Sequence, residues 1–322
     1  MEHDHALHHP NTTHRPARRG PRYLGRAAAR WRTRTSPPAS PGRDRGPARG
    51  LLPRAALTAA AAAALLGPAV WAAGPAAAAT NPAGTADPAC LVVDTTSNQS
   101  YSGLQAAVNA AAAGDILFVK GTCDGNVYIT KNLTITGQSD GTQKTATLNG
   151  QNSELMNGYQ VTATLNKLDI KDGDGIFNEG TLTLNGSTVT DATAGYGAGI
   201  YNAGGTLTLN GSTVTGNTAT WNGGGIYNHQ NAFGGGALTL NDSTVTGNTA
   251  ARGGGIANCG TATVTLTGSS TITGNTAQGT GGGIYNANGT LVNAIAPPAA
   301  DANVFGNTPN DITANGDYNN CL

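Results

Sequence analysis

One tetrapeptide returns five times in the second half of this chain, and that recurrence narrows the possible folds more than any other feature. The copies are Gly175-Ile176-Phe177-Asn178, Gly199-Ile200-Tyr201-Asn202, Gly225-Ile226-Tyr227-Asn228, Gly255-Ile256-Ala257-Asn258 and Gly283-Ile284-Tyr285-Asn286. Their spacings are 24, 26, 30 and 28 residues. Between copies the order is constant: a T-L-T-L-N run, then S-T-V-T, then G-N-T-A, then a glycine cluster. Period-2 runs of Thr, Val, Leu and Ile separated by Gly and Asn are strands joined by turns. A repeat of this length cannot bury its own apolar face, so neighbours must stack into a solenoid. Three short strands per repeat, coiling as a parallel β-helix, are the expectation.

The pattern also assigns faces. In Thr206-Leu207-Thr208-Leu209 the leucines point one way and the threonines the other. Val189, Val214, Val245 and Ile272, each flanked by threonines, repeat that alternation. Apolar side chains therefore stack inward from coil to coil, about 4.8 Å apart. Asparagine recurs at what read as fixed turn positions, Asn202, Asn228, Asn258 and Asn286 in one row and Asn217, Asn248 and Asn275 in another. Its amide is placed to bond the backbone and the same amide one coil along. The glycines supply positive φ where the chain turns tightly.

Upstream, Leu104 to Ala111 has helical spacing and ends near Gly114-Asp115. Ile116 to Val119 reads as a buried strand, and residues 126–130 and 132–137 read as further strands. A short helix at this point caps the open N-terminal edge of the solenoid. The stretch from Leu104 to Gly137 resembles the start of pectin-lyase-like β-helix proteins. The unit Thr215-Gly216-Asn217-Thr218-Ala219, leading to Gly223-Gly224-Gly225-Ile226-Tyr227-Asn228 and recurring at 246–258 and 273–286, is similar to the repeat of the polymorphic outer-membrane protein family. These resemblances span most of 90–322. They imply an all-β fold, a single-stranded right-handed parallel β-helix solenoid, and a secreted or surface-associated role. No membrane β-barrel follows the repeats in this sequence, so anchoring by that route is not expected.

Net charge zero conceals two different objects. Residues 1–54 carry 12 Arg against Glu2, Asp4 and Asp44, together with five of the six His. Beyond residue 79 the cations are Lys120, Lys131, Lys144, Lys167, Lys171 and Arg252, against 15 acids, a net charge of −9. Such a surface argues against nucleic acid or an anionic membrane as partner. Residues 1–50 have almost no aliphatic side chains and are expected to be a disordered basic extension. A nucleic-acid arm is the alternative reading of that stretch. It is disfavoured because an apolar run, Ala55 to Leu66, follows at once and ends in Ala76-Ala77-Ala78-Ala79. Basic flank, short apolar run and small-residue site make 51–79 a signal peptide, with 80–89 a linker. The product is expected to be secreted, monomeric and not inserted in a membrane. Four cysteines follow, Cys90, Cys123, Cys259 and Cys321. An even number in an oxidising compartment suggests two disulfides. Proximity along the solenoid favours Cys90–Cys123 and Cys259–Cys321, one staple at each end.

Candidate chemistry is sparse, and no catalytic residue or cofactor is assigned. Pectin-lyase-like enzymes use clustered aspartates, so Asp169, Asp172 and Asp174 are the weak candidates for a metal or catalytic site. A Gly-Asp turn between coils is the preferred reading, because acids are common at turns. Arg252 reads as a solvated turn residue. His229 follows the third anchor within an insertion, Asn228 to Gly236, expected to bulge from the stack near Trp221 and Phe233. The outward aromatic stripe Phe177, Tyr201, Tyr227 and Tyr285, interrupted at Ala257, is the candidate ligand surface, with Trp221 and His229 beside it. Aromatic faces hold sugar rings, though they also simply cover strands. A second stripe, T-x-T at 188/190, 213/215, 244/246 and 271/273, resembles the ice-binding face of some small β-helical proteins; unequal repeat lengths are expected to spoil its lattice. The reading is a non-catalytic, adhesin-like β-helix that binds glycan or protein surfaces. The alternative is a polysaccharide lyase or glycoside hydrolase.

Overall fold

A computed structural model of the protein describes residues 90–139, 145–150, 154–232 and 234–321. The expected extension, signal peptide and linker over 1–89 lie outside the described residues, as does Phe233. The rest is the expected parallel β-helix. One wall is a ten-stranded sheet that carries the T-L-T-L-N runs. A second, eight-stranded wall carries the T-V-T runs, and a third, also eight-stranded, carries the anchor tetrapeptides. Successive coils stay in register: Leu182 pairs with Leu207, Val189 with Val214, and Ile176 with Ile200.

Register converts the sequence alternation into a core. Leu182, Leu184, Leu207, Leu209, Val189, Val214, Val245, Ile200, Ile226 and Ile256 are all completely buried. Each contributes roughly 1.5–3 kcal/mol relative to exposure. The threonines between them face outward and remain half-exposed or exposed. Repeat length varies without shifting the register of these three walls, because the extra residues are taken up at corners and as register shifts in a smaller fourth sheet. In the insertion after His229, Asn231 packs against the previous corner, its side-chain amide donating to the Ala203 carbonyl at 2.7 Å. The T-x-T stripe consequently keeps its strand register through Thr188, Thr213, Thr244 and Thr271.

Two buried asparagine ladders run along the stack. In the first, each Nδ2 donates to the next Oδ1, from Asn157 through Asn178, Asn202, Asn228 and Asn258 to Asn286, at 2.7–2.9 Å. These residues sit within the anchor strands rather than in turns. The row begins at Asn157 because the preceding coil presents Ile129 there, which leaves the Asn157 Oδ1 without a partner. The second ladder links Asn217, Asn248, Asn275 and Asn307 at 2.9–3.0 Å. Because the amides also bond corner carbonyls, each coil is tied to itself and to its neighbour.

Two features depart from the three-strand coil with a plain stripe. A fourth, four-stranded sheet forms from Thr193–Tyr196, Thr218–Asn222, Thr249–Arg252 and Thr276–Thr280, which places Arg252 at a strand end. It feeds a glycine corner packed so closely that a Cβ on Gly224 would lie 2.4 Å from the Thr249 carbonyl oxygen. The strand after Gly114 also alternates instead of being wholly buried: Leu117 and Val119 are inside while Ile116 is exposed. At the N-terminal end the helix Leu104–Ala110 buries Leu104, Ala107 and Val108. An antiparallel pair, Leu91–Asp94 and Gln99–Tyr101, closes the sheet edge beside it. Disulfides join Cys90 to Cys123 and Cys259 to Cys321, one toward each end of the solenoid.

Candidate functional site

The anchor strands build the site. Within Ile226–His229, alternation sends Ile226 and Asn228 inward and Tyr227 and His229 outward. Parallel register repeats this in every coil, so Phe177, Tyr201, Tyr227, Ala257 and Tyr285 form one outward row. One position along, Ala203, His229 and Cys259 form a second. The rings touch. Phe177 meets Tyr201 edge-on at 5.2 Å between centroids, and Tyr201 meets Tyr227 at 4.9 Å. Tyr196, from the fourth sheet, reaches Tyr227 at 5.4 Å, and His229 stacks on Tyr227 at 5.1 Å.

Only half of this row faces solvent. Phe177 and Tyr201 are partly exposed, whereas Tyr227 and Tyr285 are each 2% exposed. They are covered by a strap, residues 314–321, that crosses the outside of the anchor wall and ends in the 3-10 turn Tyr318–Cys321. The Tyr227 hydroxyl donates to the Cys321 carbonyl at 2.5 Å, and the Tyr285 hydroxyl donates to the Asp317 carbonyl at 2.8 Å. The Asn222 side-chain amide donates to the Asn320 carbonyl at 2.7 Å, and the Gln230 amide donates to the Tyr318 hydroxyl at 3.1 Å. Tyr318 lies nearly parallel to His229, with ring centroids 6.3 Å apart. The Cys259–Cys321 disulfide pins the strap. Ala257 is its seat rather than a fault in the stripe: Tyr227, Ala257, Cys259, Tyr285, Ala287 and Cys321 form one buried cluster. Gly316 passes over Tyr285 where a Cβ would lie 2.5 Å from the ring.

Burial under the strap shapes the titration of the site. It raises the Tyr227 hydroxyl well above the ordinary tyrosine range, and the partial burial of Tyr201 beside it raises that hydroxyl too, with neighbouring tyrosines adding to both effects. Burial also lowers His229, which favours the neutral form of the imidazole where it stacks. Trp221 stands apart on the fourth sheet, 53% exposed, over Gly195 and next to the strap-bound Asn222. The structure therefore brings Phe177, Tyr201, Tyr227 and His229 together, holds Tyr285 under the strap beyond Ala257, and leaves Trp221 as an exposed flank. Sequence reasoning missed Tyr196, Asn222, Gln230 and Tyr318. The available signal was Cys259, an outward-facing cysteine beside a small residue in an aromatic row.

The aspartates lie elsewhere. Asp169 is on the T-V-T wall, in register with Thr147 and Thr188. Asp172 turns with φ 60° and approaches Lys171 at 4.0 Å. A small cleft at this corner is lined by Val127, Leu148, Glu154, Ile170, Lys171 and Asp172. Burial, reinforced by the Asp174 charge, pushes the Glu154 carboxyl up to about 7. Burial also raises Asp169, with Lys171 partly offsetting it. Among the described residues no three His, Cys, Asp or Glu side chains converge as metal ligands. No helix among them is long and apolar enough to cross a membrane. No protein family, no curated protein and no solved structure matches the chain.

Proposed function

We propose that this protein is an exported, adhesin-like β-helix that binds glycan chains without transforming them. The observation that carries this reading is the half-exposed rings of Phe177, Tyr201 and Tyr196, Phe177 against Tyr201 and both Tyr201 and Tyr196 against buried Tyr227, with exposed Trp221 at their flank. Aromatic faces offer flat apolar area at little entropic cost, and a ladder of them suits the repeating faces of a sugar chain. The excess of acids beyond residue 79 favours neutral over acidic glycans. Two disulfides fit an oxidising compartment and support export to the cell surface or beyond. The likeness of the coils to pectin-lyase-like helices and to polymorphic outer-membrane protein repeats supports the same address.

Of the three tryptophans, Trp221 is the only one beyond the signal-like segment, which makes it a direct reporter. Titration with neutral oligosaccharides is expected to change its fluorescence, and Tyr201→Ala is expected to weaken binding about tenfold or more. Unchanged fluorescence and no heat of binding across a broad glycan panel would exclude this reading.

A second reading has one specific observation behind it. Glu154, protonated near neutrality beside Asp174, has the character of a general acid paired with a carboxylate, as glycoside hydrolysis requires. In that case Glu154→Gln abolishes product formation, and Tyr201→Ala leaves it in place.

A further inference from the structure

We infer that the strap is a disulfide-latched cover occupying the second half of the glycan platform, and that a dithiol reductant opens it. This rests on the glycan-binding reading above.

The contacts suit a replaceable occupant. The strap adds no paired strand to the anchor wall, and its main chain meets that wall at Gly316, whose N–H donates to the Asn286 carbonyl at 2.8 Å. Its main-chain oxygens at Asp317, Asn320 and Cys321 accept from Tyr285, Asn222 and Tyr227. Those donors recognise an oxygen and not a side chain, so sugar hydroxyls can take the same positions. The strap also leaves one group unmet. Asn222 is 1% exposed, and its Oδ1 has no hydrogen-bond partner, because the main-chain carbonyl beside it only accepts. A hydroxyl both donates and accepts, so a sugar would satisfy both ends of that amide. Apart from Tyr318 and Cys321, residues 314–321 are small or polar, and Asp317 and Asn319 are exposed. Little apolar burial therefore holds the strap once the covalent link is gone.

Opening is a two-electron exchange. Cys259 and Cys321 are both buried, so the turn Tyr318–Cys321 must fray before a reductant gains access. A thiolate of the dithiol attacks the Cys321 sulfur. The Cys259 sulfur leaves as thiolate and takes up a proton. The second thiol of the reductant then attacks the mixed disulfide, which frees Cys321 as a thiol and leaves the reductant oxidised to its disulfide. Release uncovers Tyr227, Tyr285 and His229 and lengthens the platform from Phe177 to the coil of Tyr285.

The test has two arms. Tyrosine nitration mapped by peptide mass reads the cover without any glycan. In the oxidised protein Tyr227 and Tyr285 are expected to react at least tenfold more slowly than Tyr128, which is 45% exposed. In Cys321→Ser, and in the wild type after dithiothreitol, the two rates are expected to approach that of Tyr128. The reduced wild type serves if the variant does not fold. Protection that survives both treatments overturns the latch. The second arm titrates neutral hexasaccharides against the open and closed forms, with an expected gain of about tenfold on opening. Opening with no gain in affinity overturns the cover's role at the platform. Nitration that changes while neither form binds any glycan keeps the latch and rejects the glycan reading alone.

Discussion

Replacing Asn228 by leucine removes one rung of the inner amide ladder and keeps side-chain volume nearly constant. In the native coil its Nδ2 donates to the Asn258 Oδ1 at 2.9 Å, the Thr263 carbonyl at 2.9 Å and the Gly236 carbonyl at 3.1 Å. Its Oδ1 accepts from Asn202 at 2.8 Å. The leucine leaves the Asn258 Oδ1 with no donor in a site of zero exposure, which costs about 1–3 kcal/mol. Asn202 keeps the Gly205 carbonyl at 2.9 Å, so its loss is partial. The Gly236 carbonyl still accepts from the Thr263 amide at 2.8 Å. With these two smaller losses at about 0.5–1 kcal/mol each, the expected destabilisation is about 2–5 kcal/mol. Asn210 is the control. It also bonds a like residue, Asn185, at 2.7 Å, but it is partly exposed, so water replaces what is lost. Asn210→Leu is expected to cost no more than about 1 kcal/mol. Urea unfolding followed by circular dichroism gives both values, and hydrogen exchange shows whether the coil of Asn228 opens separately from the others. Equal costs for the two variants, or less than about 1 kcal/mol for Asn228→Leu, would refute the claim that buried amides lock the corners.

Other perturbations test other joints. Glu154 titrates near 7 in the folded chain against an ordinary 4.5, so the folded state binds this proton more tightly. Its contribution to stability is full below about 4.5 and is lost as pH rises through about 7. Allowing for partial exposure, urea midpoints at pH 5 and pH 8 should differ by about 1–2 kcal/mol, and Glu154→Gln should abolish that difference. A pH dependence that persists in the variant would assign it to another group. His229 acts in the opposite sense: its lowered value means stability is lost as pH falls below the ordinary histidine range. Gly224→Ala drives a Cβ to 2.4 Å from a backbone oxygen that cannot move alone, and thermal unfolding should show a loss of about 3 kcal/mol or more. Cutting Cys90–Cys123, which closes a separation of 33 residues, should cost about 2–4 kcal/mol in the oxidised protein, and an unchanged midpoint would contradict its role as a staple.

The parts of this molecule that were readable in advance are those fixed by period. Ile200, Ile226 and Ile256 face inward because they alternate with outward residues, and identical repeats force identical register. The asparagine rows followed from the same reasoning, and both disulfides from the proximity of their cysteines along the stack. Exposure was not readable for Tyr227 and Tyr285. Alternation tells which way a side chain leaves its strand, but what lies beyond it is set by a segment 94 residues away in the case of Tyr227 and Cys321. That strap is short and aperiodic, so only Cys321 marked it. The fourth sheet escaped notice because G-N-T-A reads as turn chemistry, although parallel stacking lets Thr218 and Thr249 pair as strand. Glu154 was missed because its partner Asp174 lies on the next coil, where Gly175 pairs with Glu154 across the stack.

We propose that the half-covered aromatic row recognises sugar chains and leaves them intact. The most direct test screens the purified protein against a broad glycan array and analyses the same oligosaccharides for products. Binding to neutral glycans without products, weakened in Tyr201→Ala and unaffected in Glu154→Gln, is the predicted result. Product release that disappears in Glu154→Gln and survives in Tyr201→Ala would contradict the account and move the site to the acidic corner.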